Sequence, residues 1–160
     1  GAVTLYARAM WKVLEYEAKR KKLVDSDEEL DQKALDDAVA KLALAKAARP
    51  GWEKPPLLLG RIYASQGNAV AAVNAFEEAI DRGSRDSFAV RRVAEYYFSQ
   101  SRFEKADEAI RKLEDRSAKM PADVGRLATD IYSALTEYAR ASDLADTPVT
   151  AADATVGNKV

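Results

Sequence analysis

The chain matches itself at a spacing of 34 residues. The segment from Leu57 to Ile80, LLLGRIYASQGNAVAAVNAFEEAI, returns in altered form from Arg91 to Glu114 as RRVAEYYFSQSRFEKADEAIRKLE. Setting residues 53–86 over 87–120 pairs Tyr63 with Tyr97, Ser65 with Ser99, Gln66 with Gln100, Ala72 with Ala106, Ala75 with Ala109, Asp81 with Asp115 and Arg82 with Arg116. Identities alone carry little weight in a chain so rich in alanine. Their placement carries more, because small and aromatic residues recur where two helices of a hairpin must touch. A fixed period of this length marks a stacked array of helical units, each too small to bury its apolar face alone. Pro50, Gly51, Pro55, Pro56, Gly67, Gly83 and Pro121 punctuate the periodic stretches, which gives an all-helical chain. At 160 residues and 48% hydrophobic composition it has the size of one domain, and no apolar run is long enough to cross a membrane, so a soluble, cytoplasmic-type protein is expected.

The unit resembles the tetratricopeptide repeat, whose two helices carry W-x2-L-G-x2-Y, then Ala, then A-x3-F, then Pro. Leu59, Gly60 and Tyr63, followed by Ala72, Phe76 and Ala79, fill that pattern in residues 53–86, with Pro56 at the tryptophan position and Ser84 at the closing proline. Val93, Ala94 and Tyr97, then Ala106, Ile110 and Leu113, fill it more loosely in residues 87–120. Gly60 is expected to resist substitution at a close helix contact, and Gly67 to tolerate it. Leu127, Ala128 and Ile131, after Pro121, predict a further first helix. Upstream, Ala38, Leu42, Ala45 and Pro50 carry the second-helix pattern, with Trp11 and Leu14 as the W-x2-L opening on a helix from about Val3 to Lys22. The spacing between Leu14 and Ala38 is 11 residues too long, which predicts an extended loop VDSDEELDQ with a capping box from Ser26 to Glu29.

This resemblance implies an all-α fold of antiparallel helix hairpins stacked into a right-handed solenoid. An irregular first hairpin would occupy residues 1–52, repeats would occupy 53–86 and 87–120, and a terminal helix with a partial repeat or tail would occupy 121–160. In that last segment Thr147 and Pro148 are placed to open another helix. Both chain ends read as those of a piece of a longer protein.

Zero cysteines and zero histidines exclude a disulfide framework, a thiolate nucleophile, the usual zinc ligand sets and a histidine-based serine hydrolase. The acidic run Asp25, Asp27, Glu28, Glu29 and Asp31 lacks the glycine and bidentate glutamate of a calcium loop and reads as a solvated loop. Gly60 and Gly67 build no phosphate loop. The expectation is therefore no catalytic residue, no metal and no cofactor. With 25 basic and 26 acidic residues the net charge of −1 gives no pull toward nucleic acid or a membrane surface. The basic run Lys19, Arg20, Lys21 and Lys22 reads as the complement of a helix dipole.

In the resembling family the first helices line a concave groove that receives a partner, often a short extended peptide. The period assigns that groove Lys12 and Tyr16, Leu57 and Arg61, Arg91 and Glu95, then Gly125 and Thr129. The set lacks the asparagines with which one subset of the family clamps a C-terminal carboxylate. Phe98 and Tyr132 occupy a neighbouring position one period apart, beside Ser65, Ser99 and Ser133. With Arg61, Arg91, Arg92 and Arg126 they suggest a basic, aromatic, hydroxyl-lined surface for an acidic, extended segment. The plainer alternative lays the arginines along aromatic neighbours in solvent and leaves the serines as spacers. Two functions stay open: a non-catalytic interaction module for a protein or peptide, and a structural segment that packs on its own parent chain or self-associates through its terminal units.

Overall fold

The computed structural model describes residues 1–21, 28–114 and 120–146. These residues form seven helices and no strand: α1 (Ala2–Lys21), α2 (Glu28–Ala48), α3 (Lys54–Ser65), α4 (Ala69–Asp81), α5 (Ser87–Ser99), α6 (Phe103–Glu114) and α7 (Ala122–Asp146). The two central hairpins, α3–α4 and α5–α6, fall where the 34-residue period places them. Within each of the first three helix pairs the contact is extensive. The second member of each pair then packs on the following first helix, α2 on α3, α4 on α5 and α6 on α7. Ion pairs Lys12–Asp37 at 3.8 Å and Lys19–Asp31 at 3.6 Å, one number rising as the other falls, show that α1 and α2 run antiparallel.

The turns repeat as faithfully as the helices. After α3, Gly67 N–H donates to the Ala64 carbonyl at 3.1 Å and Asn68 N–H to that of Tyr63 at 2.9 Å. After α5, Ser101 N–H donates to Phe98 at 3.0 Å and Arg102 N–H to Tyr97 at 2.9 Å. Both are Schellman closures, which satisfy the last orphan carbonyls and require a left-handed residue. Gly67 takes that conformation at φ 74° and Ser101, 34 residues on, at φ 57°. Gly83 does the same after α4 at φ 103°. Open space surrounds Gly67, so the expectation of tolerance holds for volume but not for the backbone. The next helices then start from side-chain caps: Asn68 accepts from Ala71 N–H at 3.1 Å and Asp86 from Ala89 N–H at 3.0 Å. In α3 no side chain caps the start; prolines at its first turn instead remove N–H groups that would lack partners. Pro121 lies just before α7 and accepts its first helical bond from Gly125 N–H at 2.9 Å, one position earlier than the expected first turn.

Two apolar clusters fill the interior. One joins Ala9, Val13, Leu35, Ala38 and Leu42 of the first hairpin to Leu58, Leu59, Ile62 and Ala75 of the second. The other joins Phe76 and Ile80 to Val90, Val93, Ala94, Tyr97, Ala106 and Ile110, and on to Val124 and Ile131 of α7. Every cluster therefore spans a hairpin boundary, so burial couples each unit to its neighbour. Pairs such as Lys46–Glu78 at 2.8 Å and Asp81–Lys112 at 3.3 Å add contacts between α2, α4 and α6.

Two expectations for the first hairpin are corrected. Trp11 and Leu14 do not enter the core: they are 72% and 53% exposed, and Ala9 and Val13 take the buried phase of α1 instead. The long acidic loop is shorter than expected, because Glu28 to Gln32 are already helical. Acidic residues suit a first helical turn, and Asp31, nearly buried, is held by Lys19. The Ser26–Glu29 capping box, the Thr147–Pro148 start and the rest of residues 147–160 lie outside the described residues.

Candidate functional site

The face between α3 and α5 is where the two helices stand apart. Leu58 of α3 is 2% exposed and packed on the first hairpin; its counterpart one period later is Arg92, whose side chain is 50% exposed. The backbones of α3 and α5 stay apart, and Arg61 reaches across to Phe88 and Asp86. Two adjoining depressions result, both bordered by Ala64 and Arg92. The first, of about 410 Å³, has an apolar floor of Ala72, Val73 and Phe76 and a polar wall of Arg92, Glu95, Tyr96 and Ser99. The second, of about 390 Å³, lies among Glu17, Arg61, Ser65 and Phe88.

Phe88 marks the centre of this face. Its ring makes an edge contact with buried Phe76, centroids 5.9 Å apart, and carries two guanidiniums, Arg61 at 5.9 Å and Arg92 at 5.4 Å from its centroid. Such stacking stabilises a cation beside an aromatic face and keeps long side chains extended. Arg61 also reaches Asp86 at 3.5 Å. Arg92 has a looser tie, to Glu95 at 3.7 Å.

Of the residues expected in a groove, Arg61, Ser65, Arg92, Glu95 and Ser99 border these depressions. The serines do not offer free hydroxyls: Ser65 Oγ donates to the Ile62 carbonyl and Ser99 Oγ to that of Tyr96, each at 2.7 Å, the same bond one period apart. Arg91 is occupied elsewhere. Its Nε donates to Glu95 at 2.6 Å and its Nη1 to Asp123 at 2.7 Å, which fastens α5 to the start of α7. These two hydrogen bonds, Glu95 first, hold the Arg91 pKa above its ordinary value. Lys12 sits on the α1–α2 seam beside Asp37, and Tyr16 packs on the first cluster with Arg20 over its ring at 5.8 Å. Phe98 is half-buried and makes a tilted ring contact with Phe103, centroids 5.4 Å apart, so it is a packing residue and not a free anchor. Thr129 spends its hydroxyl on the Gly125 carbonyl at 3.1 Å. Arg126 and Tyr132 lie exposed on α7, outside both depressions.

The aromatic missed from sequence is Phe88. Its signal was Arg92 four residues on, a cation and a ring on one helical face. Among the described residues no group of three or more acidic side chains is arranged to hold a metal ion, and no helix is long and apolar enough to cross a membrane. No protein-family model matches the chain, and no curated protein matches it in sequence.

Proposed function

We propose that the chain is a tetratricopeptide-like helical-repeat module, its hairpins stacked as a right-handed solenoid, that binds an extended segment of a partner protein without catalysis. The observation that carries this reading is the gap between α3 and α5, with Phe88 held between Arg61 and Arg92 beside a depression whose floor is apolar. The ligand is amphipathic: one large apolar side chain enters over Ala72, Val73 and Phe76, and a neighbouring carboxylate meets Arg92. Glu17, Asp86 and Glu95 share this face with the arginines, so a uniformly acidic peptide is disfavoured and a single well-placed carboxylate preferred. A charged hydrogen bond gives about 1.5 to 3 kcal/mol, and ordering a flexible peptide offsets several. The charge contact therefore nearly cancels against ordering, the buried apolar side chain carries the net binding, and the expected affinity is weaker than the roughly −8 kcal/mol of a micromolar complex.

Selection from a random displayed-peptide library, followed by anisotropy titrations, tests this. Arg92→Ala is expected to weaken selected peptides about tenfold, equivalent to about 1.4 kcal/mol. Ala69→Trp, which fills the first depression from an exposed position, is expected to abolish binding; Arg111→Ala, on α6, leaves it unchanged. Peptides that bind all three variants as they bind the parent chain would refute the assignment.

A further inference from the structure

Helix α1 carries two apolar stripes, and one of them is built into the protein: Ala9 and Val13, with Tyr6 and Tyr16 beside them, belong to the first cluster. Val3, Ala7, Met10 and Leu14 make the other, at spacings of four, three and four residues, with Trp11 along its edge. That spacing keeps all four side chains within a narrow arc and is the seam on which a second helix packs. Val3, Trp11 and Leu14 are 61%, 72% and 53% exposed. The stripe borders an apolar trough of about 390 Å³ whose opposite wall is Trp52. Trp52 is held rigidly: the Tyr6 ring lies 5.0 Å away, the Arg49 guanidinium lies 5.2 Å from its centroid, and its N–H donates to the Arg49 carbonyl at 3.1 Å. Both tryptophans of the chain therefore stand at one trough, and fixed tryptophans are the side chains that most often anchor interfaces.

We propose that this trough docks an amphipathic helix of a partner protein. Its walls are helix side chains, and the one N–H of the connecting turn at its edge, that of Trp52, is already bonded. An extended strand would find no main chain to pair with there, whereas a helix brings its backbone bonds already made. The packing inside the molecule points the same way, since α3 and α5 each rest on a helix of the preceding hairpin as well as on their own partner, and α1 rests on α2 and α3. Lys54 stands on the rim with no ion pair among the described residues, which favours a partner helix with leucine- or methionine-type side chains on one face and a carboxylate at its flank. The seam from Val3 to Leu14 is about 16 Å long, too short to bury the roughly 800 Å² per partner of a stable interface, so the contact is weak and reversible. This proposal stands independently of the α3–α5 groove.

The probe is a displayed library on a tryptophan-free, alanine-rich helix with its seam positions varied among Leu, Ile, Met and Phe, set beside a matched library in which prolines hold the same residues extended. Helical members are expected to be enriched. Titrating them is expected to shift the protein's tryptophan emission to the blue and shield it from acrylamide, because Trp11 passes from water into an apolar contact. A ligand in the α3–α5 groove meets neither tryptophan and leaves the emission unmoved. Leu14→Glu, at an exposed position, is expected to weaken the helical peptides about tenfold or more with unchanged helical circular dichroism, and Arg111→Ala to leave them unaffected. If Leu14→Glu loses helicity, Val3→Glu takes its place on the same stripe. The proposal is overturned if extended peptides are enriched in place of helical ones, if enriched helices leave the emission unmoved, or if the stripe variant binds them as the parent does. A blue shift on concentrating the chain alone would show a second copy in the trough and would overturn it equally.

Discussion

The ring of Phe76 lies against Gly60 so closely that a β-carbon there would stand 2.9 Å from its Cγ and nearer still to Cδ1 and Cε1. Phe76 is fully buried and cannot swing away. The corresponding positions one period later hold Ala94 and Ile110, both buried, where a smaller partner accompanies the added methyl. The two hairpins have reached the same close approach with different pairs of side chains.

Gly60→Ala is therefore expected to destabilise by about 1 to 3 kcal/mol through overpacking, more than offsetting alanine's helix-propensity gain of about 1 kcal/mol. Gly60→Leu should be worse. Adding Phe76→Ile to Gly60→Ala should cost less than the sum of the two single changes, a coupling visible in a denaturant double-mutant cycle. Additive single effects would contradict the contact.

Gly67 and Ser101 make the same turn with different residues. Gly67→Ala is expected to lower stability by about 1 kcal/mol, because a left-handed conformation disfavours a β-carbon. Ser101→Gly is expected to raise it by up to about 1 kcal/mol, relief of that strain outweighing the entropy glycine adds to the unfolded chain. Urea midpoints of the two variants should move in opposite directions; a parallel shift would argue against the shared turn geometry.

Tyr97 couples α5 to α4 by donating its hydroxyl to Glu77 at 2.6 Å. Burial first, then this hydrogen bond and the Glu77 charge, push its pKa up to about 12. The folded value lies above the ordinary 10.0, so the phenol's contribution is complete below that value and is lost as pH rises through about 12. Tyr97→Phe should remove this loss of stability between about pH 10 and 12 and delete the late phase of the phenolate absorbance titration. A parent titration in which all tyrosines ionise near their ordinary value would contradict it.

Asp123 supplies the acid limb. Burial pushes its carboxyl up, but the hydrogen bond from Arg91, those from the backbone and the Arg91 charge outweigh it, and the pKa lies below the ordinary carboxylate value. Its contribution is present above that ordinary value and lost as pH falls through the lowered one. Asp123→Asn should flatten the acid end of the stability curve and speed amide exchange at the start of α7. Exchange in α7 equal to that of the parent would show that Arg91 does not hold this helix.

Much of the fold was legible because the period fixes it. Gly60 against Phe76, the Gly67 and Ser101 turns and the break at Gly83 all follow from residues at known offsets within a hairpin. The first hairpin was harder to read. Helix α1 has one apolar stripe through Tyr6, Ala9, Val13 and Tyr16 and another through Val3, Met10, Trp11 and Leu14, and periodicity cannot say which one α2 and α3 will cover. For the site, Arg61 and Arg92 could be placed by phase, but Arg91 could not: its partner Asp123 lies 32 residues away, and proximity of that kind has no local signature. Phe98 and Phe88 exchanged roles for a similar reason, since Phe103 across the turn claims the first and leaves the second on the open face.

The most direct test of the binding account is a backbone amide chemical-shift map of the chain titrated with a selected peptide carrying an aromatic residue next to a carboxylate. The largest changes are expected at Ala64, Ala69, Val73, Phe88, Arg92 and Ser99, around the gap between α3 and α5. Changes confined to α2 and α6, or to α1 and α7, with those six amides unmoved, would contradict it.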